Sequence, residues 1–169
     1  MSKTNTLVMM CGVPGSGKST LIKKIIAFQP SYVVLSTDDY IETQAALTGK
    51  TYNEIFPDAI KDAERAMEVS LQHAIKHDLP IIWDQTNISP KSRKAKLAKV
   101  PDFYQKIAIW FHVPDDDEWK RRLASRPGKT IPKHILNAMA KDFVIPTVEE
   151  GFDSILTNAG FEMYMNAIA

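Results

Sequence analysis

Residues 8–24 read VMMCGVPGSGKSTLIKK, and within that stretch Gly12 to Ser19 satisfies the spacing G-x-x-x-x-G-K-[S/T] in full. The spacing has a physical meaning only where a strand ends at the glycine-rich turn and a helix opens beyond it. Both flanks qualify. Thr6 to Cys11 is a short apolar run that suits a buried strand, and Lys18 to Phe28 carries Leu21, Ile22, Ile25 and Ile26 at helical spacing. In such a loop successive backbone N–H groups turn inward around phosphate oxygens, and the helix N-terminus adds its positive end. Gly12, Val13, Pro14, Gly15, Ser16, Gly17, Lys18, Ser19 and Thr20 are therefore candidate nucleotide-binding residues. Lys18 would reach the β- and γ-phosphates and the Ser19 hydroxyl would bind Mg²⁺.

Working outward, Tyr32 to Leu35, Ile81 to Trp83 and Ile107 to Val113 are further strand candidates, the last without polar alternation, as in a strand covered on both faces. Asp58 to Lys76 places Ile60, Ala63, Met67, Leu71 and Ala74 at spacings of three and four, which predicts a long amphipathic helix entered through Pro57. Ser89-Pro90 reads as a cap and first-turn proline opening a helix that bears Lys91, Arg93, Lys94, Lys96 and Lys99. Asp115 to Glu118 read as acids at a helix N-terminus rather than a metal cluster. A proline- and glycine-bearing segment, Arg126 to Thr130, precedes a helix opened by Pro132, and Phe161 to Ala169 fits a helix, an edge strand or a frayed tail. Strands alternating with helices imply an α/β fold of the P-loop NTPase type: one domain over residues 1–169, a parallel sheet of four to five strands flanked by helices, and a short arginine-bearing lid.

The 169 residues carry 21 Lys and Arg against 20 Asp and Glu, so no strongly basic surface exists to hold duplex nucleic acid by charge alone. A single cysteine, Cys11, excludes an internal disulfide and favours a cytoplasmic setting. The N-terminus lacks the pattern of a signal peptide, and no apolar run approaches the roughly 20 residues that span a bilayer, so no membrane association is expected.

Beside the nucleotide loop, Asp84 follows three apolar residues in IIWDQTN and can hold Mg²⁺ through water, with capping of the next turn as the alternative. No N-K-x-D sequence specifies guanine, which leaves ATP as the expected donor. Asp38-Asp39 lie just past the second strand, at the carboxyl edge where open parallel sheets bind ligands. An alcohol loses its proton as it attacks phosphorus and calls for a positioned carboxylate, whereas a phosphate acceptor is already ionised. Asp38 is thus the candidate general base; for Asp39, a direct role and capping of a helix beginning near Tyr40 are both open. Arg126 is placed to fold over the donor phosphates, and Arg122 either joins it or forms a surface salt bridge. His73 and His77 share a helix face without a third metal ligand, and Phe143, Pro146 and Val148 fit either an adenine pocket or the core.

GVPGSGKST, STDDY, DQTN with the helix bearing Arg93, RLASRPGKTIP and IPTVEEGFDSI, in this order from Leu7 to about Leu156, resemble the 5′-hydroxyl polynucleotide kinase domain of phage and eukaryotic end-repair enzymes. The resemblance implies ATP and Mg²⁺ at Lys18 and Ser19, Asp38 as general base, Arg126 as the lid arginine, and DNA or RNA 5′ ends as substrate. Thr86, Asn87 and Arg93 match positions near the acceptor, as does the Asp38-Asp39 pair. Two departures stand out: Ile41 where some phage members carry an arginine that holds an acceptor phosphate, and Ser36-Thr37 where an Asn-Arg pair is common. Without a D-x-D-x-T motif, only the kinase half of such an enzyme is expected. A kinase of the same fold acting on a nucleoside, a modified DNA base, aminoacyl-tRNA or a small metabolite is the first rival, and a non-catalytic ATP-binding module is the second.

Overall fold

The computed structural model describes residues 3, 5–126 and 128–168. Five strands, β1 (Asn5–Cys11), β2 (Val33–Leu35), β3 (Ile81–Asp84), β4 (Tyr104–Trp110) and β5 (Ser154–Thr157), form one parallel sheet in the order β2-β3-β1-β4-β5. Central β1 pairs Leu7 with Ile81 and Met10 with Asp84 on one side, and Met10 with Ile109 on the other. Its side chains from Leu7 to Cys11 are all buried because both sheet faces are covered. Leu7, Met9 and Cys11 pack with Leu71 and Trp83 on one face; Val8 and Met10 pack with Leu21, Ile25 and Ile82 on the other. The unbroken apolar run is the signature of a strand in that position.

The helices are α1 (Lys18–Phe28), α2 (Thr37–Thr48), α3 (Tyr52–Lys76), α4 (Pro90–Leu97), α5 (Asp116–Ala124), α6 (Lys133–Asp142) and α7 (Asn158–Ile168). Caps account for several boundaries. Ser36 accepts from the Asp39 N–H at 3.2 Å, Ser89 from Ser92 at 3.3 Å, and Asp115 from Glu118 at 2.9 Å. The acids of Asp115 to Glu118 thus open α5, as the sequence suggests.

Three boundaries differ from the sequence expectation. Helix α2 begins at Thr37 rather than near Tyr40, so Ser36 is its cap and both aspartates lie inside the first turn. Helix α3 begins at Tyr52, with Pro57 inside it rather than at its entrance, because Thr51 and Glu54 form a capping box ahead of the proline. Strand β4 starts three residues before Ile107 and ends at Trp110. The C-terminal segment is a helix, α7, which buries Phe161 against the sheet. Among the described residues, no helix is long and apolar enough to cross a membrane.

One buried ion pair ties α4 to the 3₁₀ turn Val148–Glu150. The Arg93 side chain is fully buried; it donates to both Glu150 carboxylate oxygens at 2.7 Å and to the Asn87 and Val144 carbonyls at 2.9 Å. Glu150→Ala would strand this guanidinium in the core. We expect a stability loss of about 3–5 kcal/mol, read from the denaturant midpoint.

Candidate active site

Because every strand runs the same way, the carboxyl ends of β1, β2 and β3 share one edge of the sheet. The chain leaves β1 to build the β2 side and later returns to the β4 side, which opens a crevice beside β1. A cleft of about 1050 Å³ lies there, lined by the glycine-rich loop, the start of α2, the end of β3 and the strap between α5 and α6.

In the loop, Gly15 and Gly17 have φ of 79° and 107°, conformations that L side chains rarely adopt. A Cβ on Gly15 would also lie 3.1 Å from the Trp119 ring, whose Nε1 donates to the Pro14 carbonyl at 2.6 Å. Helix α5 therefore braces the loop from behind. Val13 is buried with Trp119 and Leu136 and does not line the cleft. The Ser16 hydroxyl, also buried, has no hydrogen-bond partner among the described residues.

The Lys18 ammonium is buried and donates to the Gly12 and Val13 carbonyls at 2.9 and 3.0 Å. Burial pulls its pKa down to about 8, against the partial restoring effect of Asp84. Ser19 lines the cleft at the start of α1, while Thr20 is exposed and does not line it. Gly12 N–H donates to the Thr86 carbonyl at 2.8 Å, which fastens the loop to the segment after β3.

Asp84 lines the cleft where β3 ends. Burial raises its pKa to about 6, with Lys18 pulling the other way and Asp39 and Asp38 adding to the rise. Ser19 and Asp84 fit a hard cation, since one offers a hydroxyl and the other a carboxylate held at a net energetic cost in the metal-free protein. The sign of that cost can be tested. A carboxyl whose folded pKa exceeds its unfolded value destabilises increasingly as pH rises from about 4 to about 6, and fully above that. Asp84→Asn is accordingly expected to raise the thermal midpoint of the metal-free protein at pH 8, by up to about 2 kcal/mol in stability, and to have little effect at pH 4.

Asp38 also lines the cleft. Its Oδ1 accepts from the Tyr52 hydroxyl at 2.6 Å and its Oδ2 from the Lys129 ammonium at 2.6 Å. Burial pushes this carboxyl up, but Lys129, Tyr52 and Lys18 together hold it below its usual value. Asp39 also lines the cleft; burial, Glu42 and Asp38 raise its pKa. It does not cap the helix.

The strap is tied down by Asn53, whose side chain donates to the Thr130 carbonyl at 2.9 Å and accepts from the Thr130 N–H at 3.0 Å, and whose backbone N–H donates to Gly128 at 3.2 Å. Arg126 lines the cleft, and among the described residues its guanidinium has no hydrogen-bond acceptor. Pro127 lies outside the described residues. Arg122 forms the surface salt bridge, with Nε donating to Glu118 at 2.6 Å, and Nη1 donates to the Gly15 carbonyl at 3.2 Å; it does not line the cleft.

Other candidates lie elsewhere. Thr86 lines the cleft, but Asn87 is buried with φ of 48° and donates to the Met10 carbonyl at 2.8 Å. Arg93 is spent on Glu150 inside the protein and does not line the cleft. Ile41 packs with Ala45, Ile55 and Ala63 between α2 and α3, so it does not line the cleft; Glu42, four residues after Asp38, does. Phe143 packs against the core and Val148 is exposed, and none of Phe143, Pro146 and Val148 lines the cleft. Lys129 lies within the RLASRPGKTIP stretch without a role assigned to it, and Tyr52 and Glu42 carry no motif that singles them out, although the capping box T-Y-N-E could have located Tyr52 at a helix start.

Over 159 residues, 91% of this chain and 33% of the other, the chain is 26% identical to a bifunctional polynucleotide phosphatase/kinase of Schizosaccharomyces pombe. It is 32% identical over 142 residues to human NEDD4-binding protein 2, covering 81% of this chain and 8% of that one. The chain thus spans a third or less of the length of these curated relatives. A chain in the structure of the Pnkp1/Rnl/Hen1 RNA repair complex superposes with a TM-score of 0.67 at 22% identity, over 84% of this chain and 44% of that one, which shows a common fold. The model of the AAA domain family matches residues 7–146, from the first buried residue of β1 past the strap and α6. With its glycine-rich loop at the carboxyl edge of a five-stranded parallel sheet, the chain belongs to the AAA domain family of P-loop proteins.

Proposed function

We propose that the chain acts as one P-loop kinase domain that transfers the γ-phosphoryl group of ATP to the 5′-hydroxyl of a DNA or RNA end. The observation that supports this reading is Asp38, a carboxylate that lines the cleft with the glycine-rich loop and is held below its usual pKa by Lys129, Tyr52 and Lys18. A site for a phosphate acceptor would need no such base.

The acceptor hydroxyl gives its proton to Asp38 as its oxygen bonds to the γ-phosphorus; the bond from that phosphorus to the β,γ-bridging oxygen breaks, and ADP leaves. The loop N–H groups and Lys18 hold the donor, and Arg126 meets the charge that spreads over the transferred group. Ser19 and Asp84 would hold Mg²⁺, which when bound offsets phosphate charge. Thr86 and Asp39 border the acceptor. The polynucleotide kinase among the relatives and the RNA repair complex support a polynucleotide end as acceptor.

A smaller hydroxyl acceptor is the second reading, favoured by the net charge of +1 and by the internal pairing of Arg93, which removes one cation from the acceptor wall. ADP release is the test, measured with Mg²⁺-ATP and a panel of acceptors at equal hydroxyl concentration: 5′-hydroxyl oligonucleotides of DNA and RNA, nucleosides, tRNA and sugars. Stimulation by the oligonucleotides above all others is expected. Stimulation by a nucleoside or sugar alone would transfer the assignment to the second reading.

A further inference from the structure

Lys129 is held more tightly than any catalytic scheme for Arg126 alone requires. Its ammonium contacts Asp38 Oδ2 at 2.6 Å and Glu42 Oε1 at 3.0 Å, and lies 4.2 Å from the centroid of the Tyr52 ring. Its side chain is only 8% exposed. Two carboxylates one helical turn apart on α2 and an aromatic face on α3 thus converge on one cation from the strap. The strap backbone is also tied by Asn53, so the lysine is not its only anchor.

We infer that Lys129 is the positioning residue for the proposed base: it commits Oδ2 of Asp38 to a fixed ion pair, leaving Oδ1 as the oxygen that accepts the acceptor proton. The inference rests on the reading of Asp38 as base. At Oδ1 the present donor is a neutral phenol, which an incoming hydroxyl can displace or join, since a carboxylate oxygen has more than one acceptor lone pair. At Oδ2 a buried ammonium resists displacement. The same ion pair links the acceptor wall to the strap that carries Arg126, three residues away.

The charged and titratable groups facing Asp38 are Lys18 from α1, Asp84 from β3, Asp39 and Glu42 from α2, Tyr52 from α3 and Lys129 from the strap. Of the two cations, only Lys129 touches the carboxylate. Its influence has a definite sign: it is present above the ordinary carboxylate range and lost as pH falls through the depressed pKa of Asp38.

The test is a ¹³C-carboxyl NMR titration of the whole chain, with the Asp38 resonance identified by its disappearance in Asp38→Asn. Lys129→Met should raise the Asp38 midpoint by about 1 pH unit or more, the effect of losing an opposite charge in contact. Lys129→Arg, which keeps the charge, should hold it near the wild-type value. An unchanged midpoint in the Met variant overturns the inference. The acid limb of kcat/KM, measured on the same proteins, should move upward with the midpoint. A midpoint that rises while the limb stays in place upholds the Lys129–Asp38 coupling and overturns the assignment of Asp38 as base instead.

Discussion

Asp38→Asn lowers the turnover of a 5′-hydroxyl oligonucleotide by about 10²–10⁴-fold, the usual worth of a general base, and leaves ATP affinity within a few-fold of wild type. The substitution is well suited to the site. Asparagine keeps the volume, and its carbonyl oxygen can still accept from Lys129 while its amide donates to the Tyr52 hydroxyl, so the wall between α2 and α3 stays satisfied. What it loses is the capacity to take a proton. Single-turnover transfer separates this loss from product release, and calorimetric titration with ATP supplies the binding control. An equal loss of ATP binding would make Asp38 a structural residue.

Arg126→Ala is the second large effect, expected at about 10³-fold or more in the transfer rate, in the range of arginines that meet transition-state charge. The guanidinium lines the cleft with its donors uncommitted among the described residues, whereas Arg122 already pairs with Glu118. Arg122→Ala should therefore cost far less. Lysine at position 126 would keep the charge without the planar fork and should restore only part of the rate. If Arg126→Ala raises KM for ATP with turnover unchanged, the side chain binds the donor uniformly and does not act on the transition state.

Much of the fold was legible because its signals are local. The apolar run of β1, the loop motif and the helical period of α1 lie within Asn5–Phe28, and each is decided by its immediate neighbours. Where boundaries differ, a second local signal decides them: the Thr51–Glu54 capping box starts α3 ahead of Pro57, and Ser36 caps α2 ahead of Asp38-Asp39. Those two shifts matter for the site. With α2 starting at Thr37, Ile41 turns toward α3 and Glu42 shares the face of Asp38, so the residue beside the acid is a carboxylate rather than an isoleucine.

The interior position of Arg93 departs from the sequence expectation of a place near the acceptor, although its spacing of four from Leu97 puts the two on one face of α4. Its partner has no such local signal. Glu150 is 57 residues away, and Lys129 reaches Asp38 across 91 residues; neither contact has a sequence period or motif to announce it. The glycine-rich loop is marked by a local motif, while the surroundings of Asp38 are assembled by tertiary contacts from α2, α3 and the strap.

The central claim is that a polynucleotide 5′-hydroxyl receives the γ-phosphoryl group. It is tested most directly by locating the label after reaction of γ-³²P-ATP and Mg²⁺ with a 5′-hydroxyl oligonucleotide, followed by digestion to mononucleotides. The account predicts label on the 5′-terminal nucleotide alone, and none when the oligonucleotide already carries a 5′-phosphate or when Asp38 is asparagine. Label on internal or 3′ positions, or no label on the oligonucleotide while ATP is consumed with another hydroxyl, would contradict it.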